Sequence, residues 1–155
     1  MKGLAMKFRY HFQKVVDLKS NEKTQAEWML STAIGKLQTE EEHLSKLIND
    51  RNNLMNIIQS AIENCASASS LQEMQRYAYH LEECISRKNN DVEHAQVNVQ
   101  RNQSFLNGKM IDEKVWLGAR DKAKMRFQQE MLLREQNDLD EMATVRFAAK
   151  AGRAN

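Results

Sequence analysis

Two carboxylate-histidine pairs, Glu40-x-x-His43 and Asp91-x-x-His94, have the spacing with which helix bundles hold paired metal ions. Residues three apart share a helix face, so one carboxylate and one imidazole could grip a single ion. The hairpin register derived below sets the two pairs opposite each other. His43 and His94 nevertheless flank the apolar positions Leu44, Val92 and Ala95, and a hairpin supplies only two of the four helices such a centre uses. Both are read as solvated flanking residues, and no metal is assigned. His80-x-x-x-Cys84 puts two further ligand types one turn apart without a third or fourth. The chain has no glycine-rich phosphate loop, nucleophile elbow or zinc-protease motif. No catalytic residue and no cofactor are assigned, and an enzyme is not expected.

Composition points the same way. The 155 residues include no Pro, five Gly and 28% charged side chains, a mixture suited to helix and poorly suited to the turns of a sheet. Mean hydropathy is −0.71, so the apolar residues suffice for a narrow seam between helices but not for a thick interior. Formal net charge is +2, with basic residues spread among acidic ones, which argues against nucleic acid as a main partner. No window approaches the roughly 18 apolar residues of a membrane span, and Met1 to Phe12 lacks the apolar core of a signal peptide. Cys65 and Cys84 are too few for a disulfide framework. With a chain reversal near Ala68 they would lie roughly 20 Å apart along the helices, beyond the ~7 Å Cα limit for a bridge.

The elements that carry these residues announce themselves by period. Leu71, Met74, Ala78, Leu81, Ile85, Lys88, Val92, Ala95, Val99, Asn102, Leu106, Lys109, Glu113, Trp116, Arg120, Ala123 and Phe127 recur at alternating steps of three and four. This is an unbroken coiled-coil series, in which the polar members Lys88, Asn102, Lys109, Glu113 and Arg120 weaken the seam and can set its register. A looser series runs from Phe12 and Val16 through Ala26, Leu30, Ala33, Leu37, Leu44, Leu47 and Leu54 to Cys65. Between them lies Cys65-Ala-Ser-Ala-Ser-Ser70, and Ser70-x-x-Glu73 reads as a capping box. The expectation is all-α: one coiled-coil domain over 1–155, a long two-helix antiparallel hairpin with helix 1 at about 7–64, a turn at 65–70 and a longer helix 2 at about 71–149. Reversal near Ala68 places Leu54 near Leu81, Leu44 near Val92 and Phe8 near Phe127. Asn107-Gly108 is a favoured stop, but the series passes through Leu106 and Lys109 in phase, so helix 2 is expected to continue.

Binding surfaces are the remaining candidates for function. Tyr77, Tyr79 and His80 crowd one turn just after the reversal, more aromatic surface than a two-helix seam can bury. Tyr77, Leu81, Cys84 and Lys88 form a stripe at helical spacing. The nine Met are scattered and are read mainly as seam filler.

Three stretches together resemble the FliJ family, the coiled-coil stalk proteins of the flagellar type III export apparatus. They are Phe8-Arg-Tyr-His-Phe12-Gln-Lys-Val-Val16 with Glu22-Lys23; Gln72-Glu-Met74-x-x-Tyr77-x-x-x-Leu81; and Trp116-Leu-x-x-Arg120-Asp-Lys followed by Glu135-Gln-x-x-Leu139-Asp-Glu-Met142-Ala and Phe147. The resemblance implies a non-catalytic protein that enters the export ATPase hexamer with its paired N- and C-terminal ends, promotes ring assembly and ATP turnover, and links the ring to the cytoplasmic domain of the membrane export gate. Phe8, Phe12, Val16, Arg120, Arg126, Arg134 and Leu139 are then the expected ATPase contacts. His43, Leu47, Asp50, Leu54, Tyr77, Leu81, Cys84 and Lys88 are the expected gate contacts, although Asp50 and Leu54 stand where family members carry tyrosines. Location at the cytoplasmic side of the inner membrane, at the flagellar base, follows from the same resemblance. An escort for export chaperones and the equivalent stalk of a virulence injectisome are the alternatives.

Overall fold

The computed structural model describes residues 6–153 and contains two helices, α1 (Gln13–Glu63) and α2 (Ala68–Arg153). All seventeen positions of the α2 series are buried or half-buried. The tightest are Leu81, Ile85, Val92, Ala95 and Leu106 on α2, with Val16, Ala26, Ala33 and Leu54 on α1. The fold is the expected antiparallel hairpin, and Asn107-Gly108 lies inside one unbroken helix. Among the described residues no large side chain is fully enclosed, as expected for a seam only one layer deep.

The chain divides into two compact units. One combines Met1–Glu22 with Met110–Asn155, and the other is Lys23–Lys109.

Within Lys23–Lys109, the polar seam positions have different fates. Lys88 crosses to Glu40 on α1 at 2.9 Å and also approaches Asp91 at 3.5 Å. Arg51 crosses in the other direction to Glu82 at 3.4 Å. These pairs tie the helices to one alignment. Asn102 instead donates to Asn98 on its own helix, at 2.8 Å to the backbone carbonyl, and Lys109 sits 5.2 Å from the centre of the Phe105 ring. Locally satisfied groups of that kind cost the seam apolar contact without fixing its register.

Three boundaries differ from expectation, the simplest being the end of α2, which runs on to Arg153 past the expected 149. At the reversal, α1 closes by a Schellman motif: the Ala66 amide donates to Ala61 O at 2.9 Å and the Cys65 amide to Ile62 O at 3.2 Å. Cys65 takes the left-handed conformation usually left to glycine, with φ 56°. The new helix then starts at Ala68, and Ser67 caps it by accepting the Ser70 amide at 3.2 Å. Ser70 is therefore inside the helix, where its hydroxyl accepts from that of Ser67 at 2.9 Å. The tight C-terminal motif ends the reversal three residues earlier than composition suggests.

At the remaining boundary, residues 6–10 are not helical, and α1 begins at Gln13 instead of near residue 7. The reason is reach. Phe8 packs on Phe127 with ring centroids 5.6 Å apart, and Phe12 packs on Trp116 at 6.1 Å. Those α2 partners are separated by roughly 16 Å of helix. Four helical residues cover only about 6 Å, whereas four extended ones cover about 13 Å. Tyr10 bridges the two rings, stacked on Phe8 and edge-on to Phe12.

Ser67→Ala should lower unfolding free energy by about 1 kcal/mol, the usual value of a lost N-cap, and Ser70→Ala by distinctly less; urea denaturation of both variants checks which serine is the cap. Gly108→Ala should raise it by about 1 kcal/mol, because a Cβ there meets nothing within 4 Å. A loss in that denaturation experiment would contradict a continuous α2.

Candidate functional site

The candidate contact residues fall into separate units, seven with the chain ends and eight in Lys23–Lys109.

Among the chain ends, Val16 is 2% exposed, and its methyls are seam core. Phe8 is half-buried against Phe127, and Arg120 is half-buried as well. Phe12 keeps 48% of its surface exposed despite its contact with Trp116. Arg126, Arg134 and Leu139 are exposed, and the Arg134 guanidinium lies 3.8 Å from the Met6 sulfur. What this unit offers a partner is an aromatic strap over α2, flanked by guanidinium groups. Beyond it, Leu132, Leu133, Leu139, Met142, Val145 and Phe147 are all more than half exposed.

In Lys23–Lys109, Leu54 and Leu81 are 9% and 3% exposed and belong to the seam. Leu47, Asp50, Cys84 and Lys88 are half-buried, while His43 and Tyr77 are exposed. The Tyr77 ring stacks on His80 with centroids 6.4 Å apart, and Cys84 Sγ lies 3.6 Å from His80 Nε2. Tyr77, His80 and Cys84 are thus held as one small cluster on a helix face. Both cysteines are free thiols, Cys65 on the surface.

His94 lines a shallow polar groove with Lys36, Glu40, Asp91, Ala95 and Asn98, and His43 is not part of it. Glu40 is already committed to Lys88. Among the described residues, no three of His, Cys, Asp and Glu converge as a metal site would require. No helix among them is long and apolar enough to cross a membrane.

Sequence reasoning missed a groove of about 390 Å³ lined by Met55, Ile58, Ile62, Leu71, Gln75, Ala78, Tyr79 and Glu82. Met55 and Ile62 are one heptad apart, each one residue after a seam position. That offset was the available signal, and it is a weak one because single exposed apolar residues are ordinary. Trp28, 75% exposed, was missed for the same reason.

The hydrogen bond that Lys88 donates to Glu40 holds the ammonium above its ordinary pKa of 10.5, against a desolvation that pushes the other way. A raised lysine value in the folded state stabilises fully below the unfolded value and loses that contribution as pH rises through the folded one. The Tm gap between the unmodified protein and Glu40→Gln should therefore be steady from neutral pH to about pH 9. It should close above 10.5. A gap unchanged into strong alkali would show that Glu40 acts by some other contact.

Comparison with known proteins places the hairpin. No curated protein sequence matches the chain. Among solved structures, a YscO homolog from Chlamydia trachomatis is similar with a TM-score of 0.71 and 18% sequence identity, covering 90% of this chain and 94% of that one. At that identity the likeness concerns the fold alone. The profile of the flagellar FliJ protein family matches residues 7–152, which takes in the aromatic strap, α1, the reversal and all but the last residue of α2. On that near-complete match, the chain belongs to the flagellar FliJ protein family, a family of type III secretion components.

Proposed function

We propose that this protein is a non-catalytic stalk of the flagellar export apparatus, binding inside the export ATPase hexamer, promoting its assembly and ATP turnover, and linking it to the export gate at the inner membrane. The observation that carries this reading is the family match over residues 7–152. Phe12, Arg126, Arg134 and Leu139 are the contacts best suited to the ATPase, because all four keep exposed surface. Val16 supports them from the seam, and Phe8 does so by anchoring the strap to Phe127. Arg120, half-buried on the α2 seam line, adds positive charge beside the strap.

For the gate, His43, Tyr77 and Cys84 offer accessible side chains, with Leu47 and Asp50 at the margin of the seam. Leu54 and Leu81 act by holding the helices together beneath that face. Lys88 acts by its bond to Glu40. The escort of export chaperones is a second reading, favoured by the exposed apolar side chains of α2 after Met131, onto which a partner helix could pack.

Adding this chain to its cognate export ATPase should raise ATP turnover. The double substitution Arg126→Glu with Arg134→Glu should reduce that stimulation about tenfold or more, as expected when two interface charges are reversed, while Tyr77→Ala leaves it intact. No stimulation at saturating protein would remove the stalk reading and leave the escort.

A further inference from the structure

The last part of α2 carries an apolar stripe that no described residue covers. Leu132, Leu139 and Met142 are 65%, 65% and 55% exposed. Together with Glu135, Arg146 and Ala149 they recur at steps of three and four and so share one face of the helix. The stripe is one residue out of phase with the seam that reaches Phe127 and Met131. It therefore lies beside the face on which Met6 and Phe8 rest, and the strap leaves it open.

We infer that this stripe is the seam of a homodimer in which the C-terminal segments of two copies pack antiparallel. Turning the stripe end for end about a point between Leu139 and Met142 brings Leu139 against Met142 of the second copy and Leu132 against Ala149. The same rotation brings Glu135 against Arg146. Apolar positions meet apolar positions, and the two charged positions meet with opposite sign, twice over by symmetry. Parallel pairing does the reverse, setting Glu135 on Glu135 and Arg146 on Arg146, which repels. An interface that is its own complement closes on two copies and stops there. Neither charged side chain has a hydrogen bond or ion pair within its own chain among the described residues, so both are available. The segment is already helical, which spares the dimer most of the cost of ordering it.

Sedimentation velocity of the full chain over a wide concentration range should show a monomer-dimer equilibrium. Glu135→Arg alone, or Arg146→Glu alone, should weaken dimerisation about tenfold or more by replacing both attractive pairs with repulsive ones. An equimolar mixture of the two variants should recover the dimer, because each chain then meets opposite charge at both positions. A monomer at every concentration would overturn the proposal, as would a dimer indifferent to both reversals. Both sites are exposed, so circular dichroism should show unchanged helix content. No ATPase enters the experiment, so its failure is distinguishable from failure of the stalk reading; the dimer covers Leu139, which only the monomer leaves open to the ATPase.

Discussion

Packing along a strip about one side chain deep holds α1 against α2 within each unit, and that strip imposes the main constraint on the protein. A globular core can lose one contact and lean on many others. Here each layer is a few side chains meeting across two helices, so a polar residue at a seam position must find its own solution. Lys88 finds Glu40 across the seam, whereas Asn102 turns back to Asn98 on its own helix. The first kind of solution specifies alignment. The second preserves only the helix.

So thin a seam also makes the helix ends consequential. Long helices have few contacts per residue, and their limits are set by local devices. At the reversal, Cys65 accepts a left-handed conformation that costs a non-glycine residue roughly 1 kcal/mol, in return for two carbonyls satisfied by the Schellman bonds. At the start of α1 no polar side chain among the described residues caps the helix in the usual way. Phe12 occupies the position before Gln13, and its carbonyl accepts the Val16 amide at 3.1 Å. Aromatic contacts with α2 hold that strap where a helix would have been too short to reach. Lys150 and Arg153 in the last turn of α2 complement the helix dipole there.

A protein built this way has much apolar surface left over, and its distribution is the functional information. In Lys23–Lys109 it gathers around Met55, Ile62 and Tyr79 on one flank of the seam and around Tyr77 on the other. Among the chain ends it follows α2 past the strap. Membership of the FliJ family sets these surfaces within type III secretion. The self-complementary charge pattern of the last stripe gives one of them a specific occupant.

The all-α class, the antiparallel hairpin, the uninterrupted α2 and the Phe8–Phe127 pairing were legible in the residues alone. Heptad period, absence of proline and a phase unbroken across Asn107-Gly108 are local properties, and one seam with a known reversal point leaves little freedom in alignment. Exposure was less legible. Leu54 and Leu81 stand both in the seam series and among the gate contacts that the resemblance implies, and the packed hairpin shows them as core; a seam residue and its neighbour one position away have the same composition but opposite fates. The cap at Ser67 and the extended strap before Gln13 were likewise beyond sequence. Both depend on competition between local propensity and a fixed geometry: the closing bonds of α1 in one case, the distance between Trp116 and Phe127 in the other. Sequence alone determined which residues could form a seam, because period is written along the chain. Tertiary structure decided where each helix stops and which side chains remain for a partner, because those depend on distances between residues far apart in the chain.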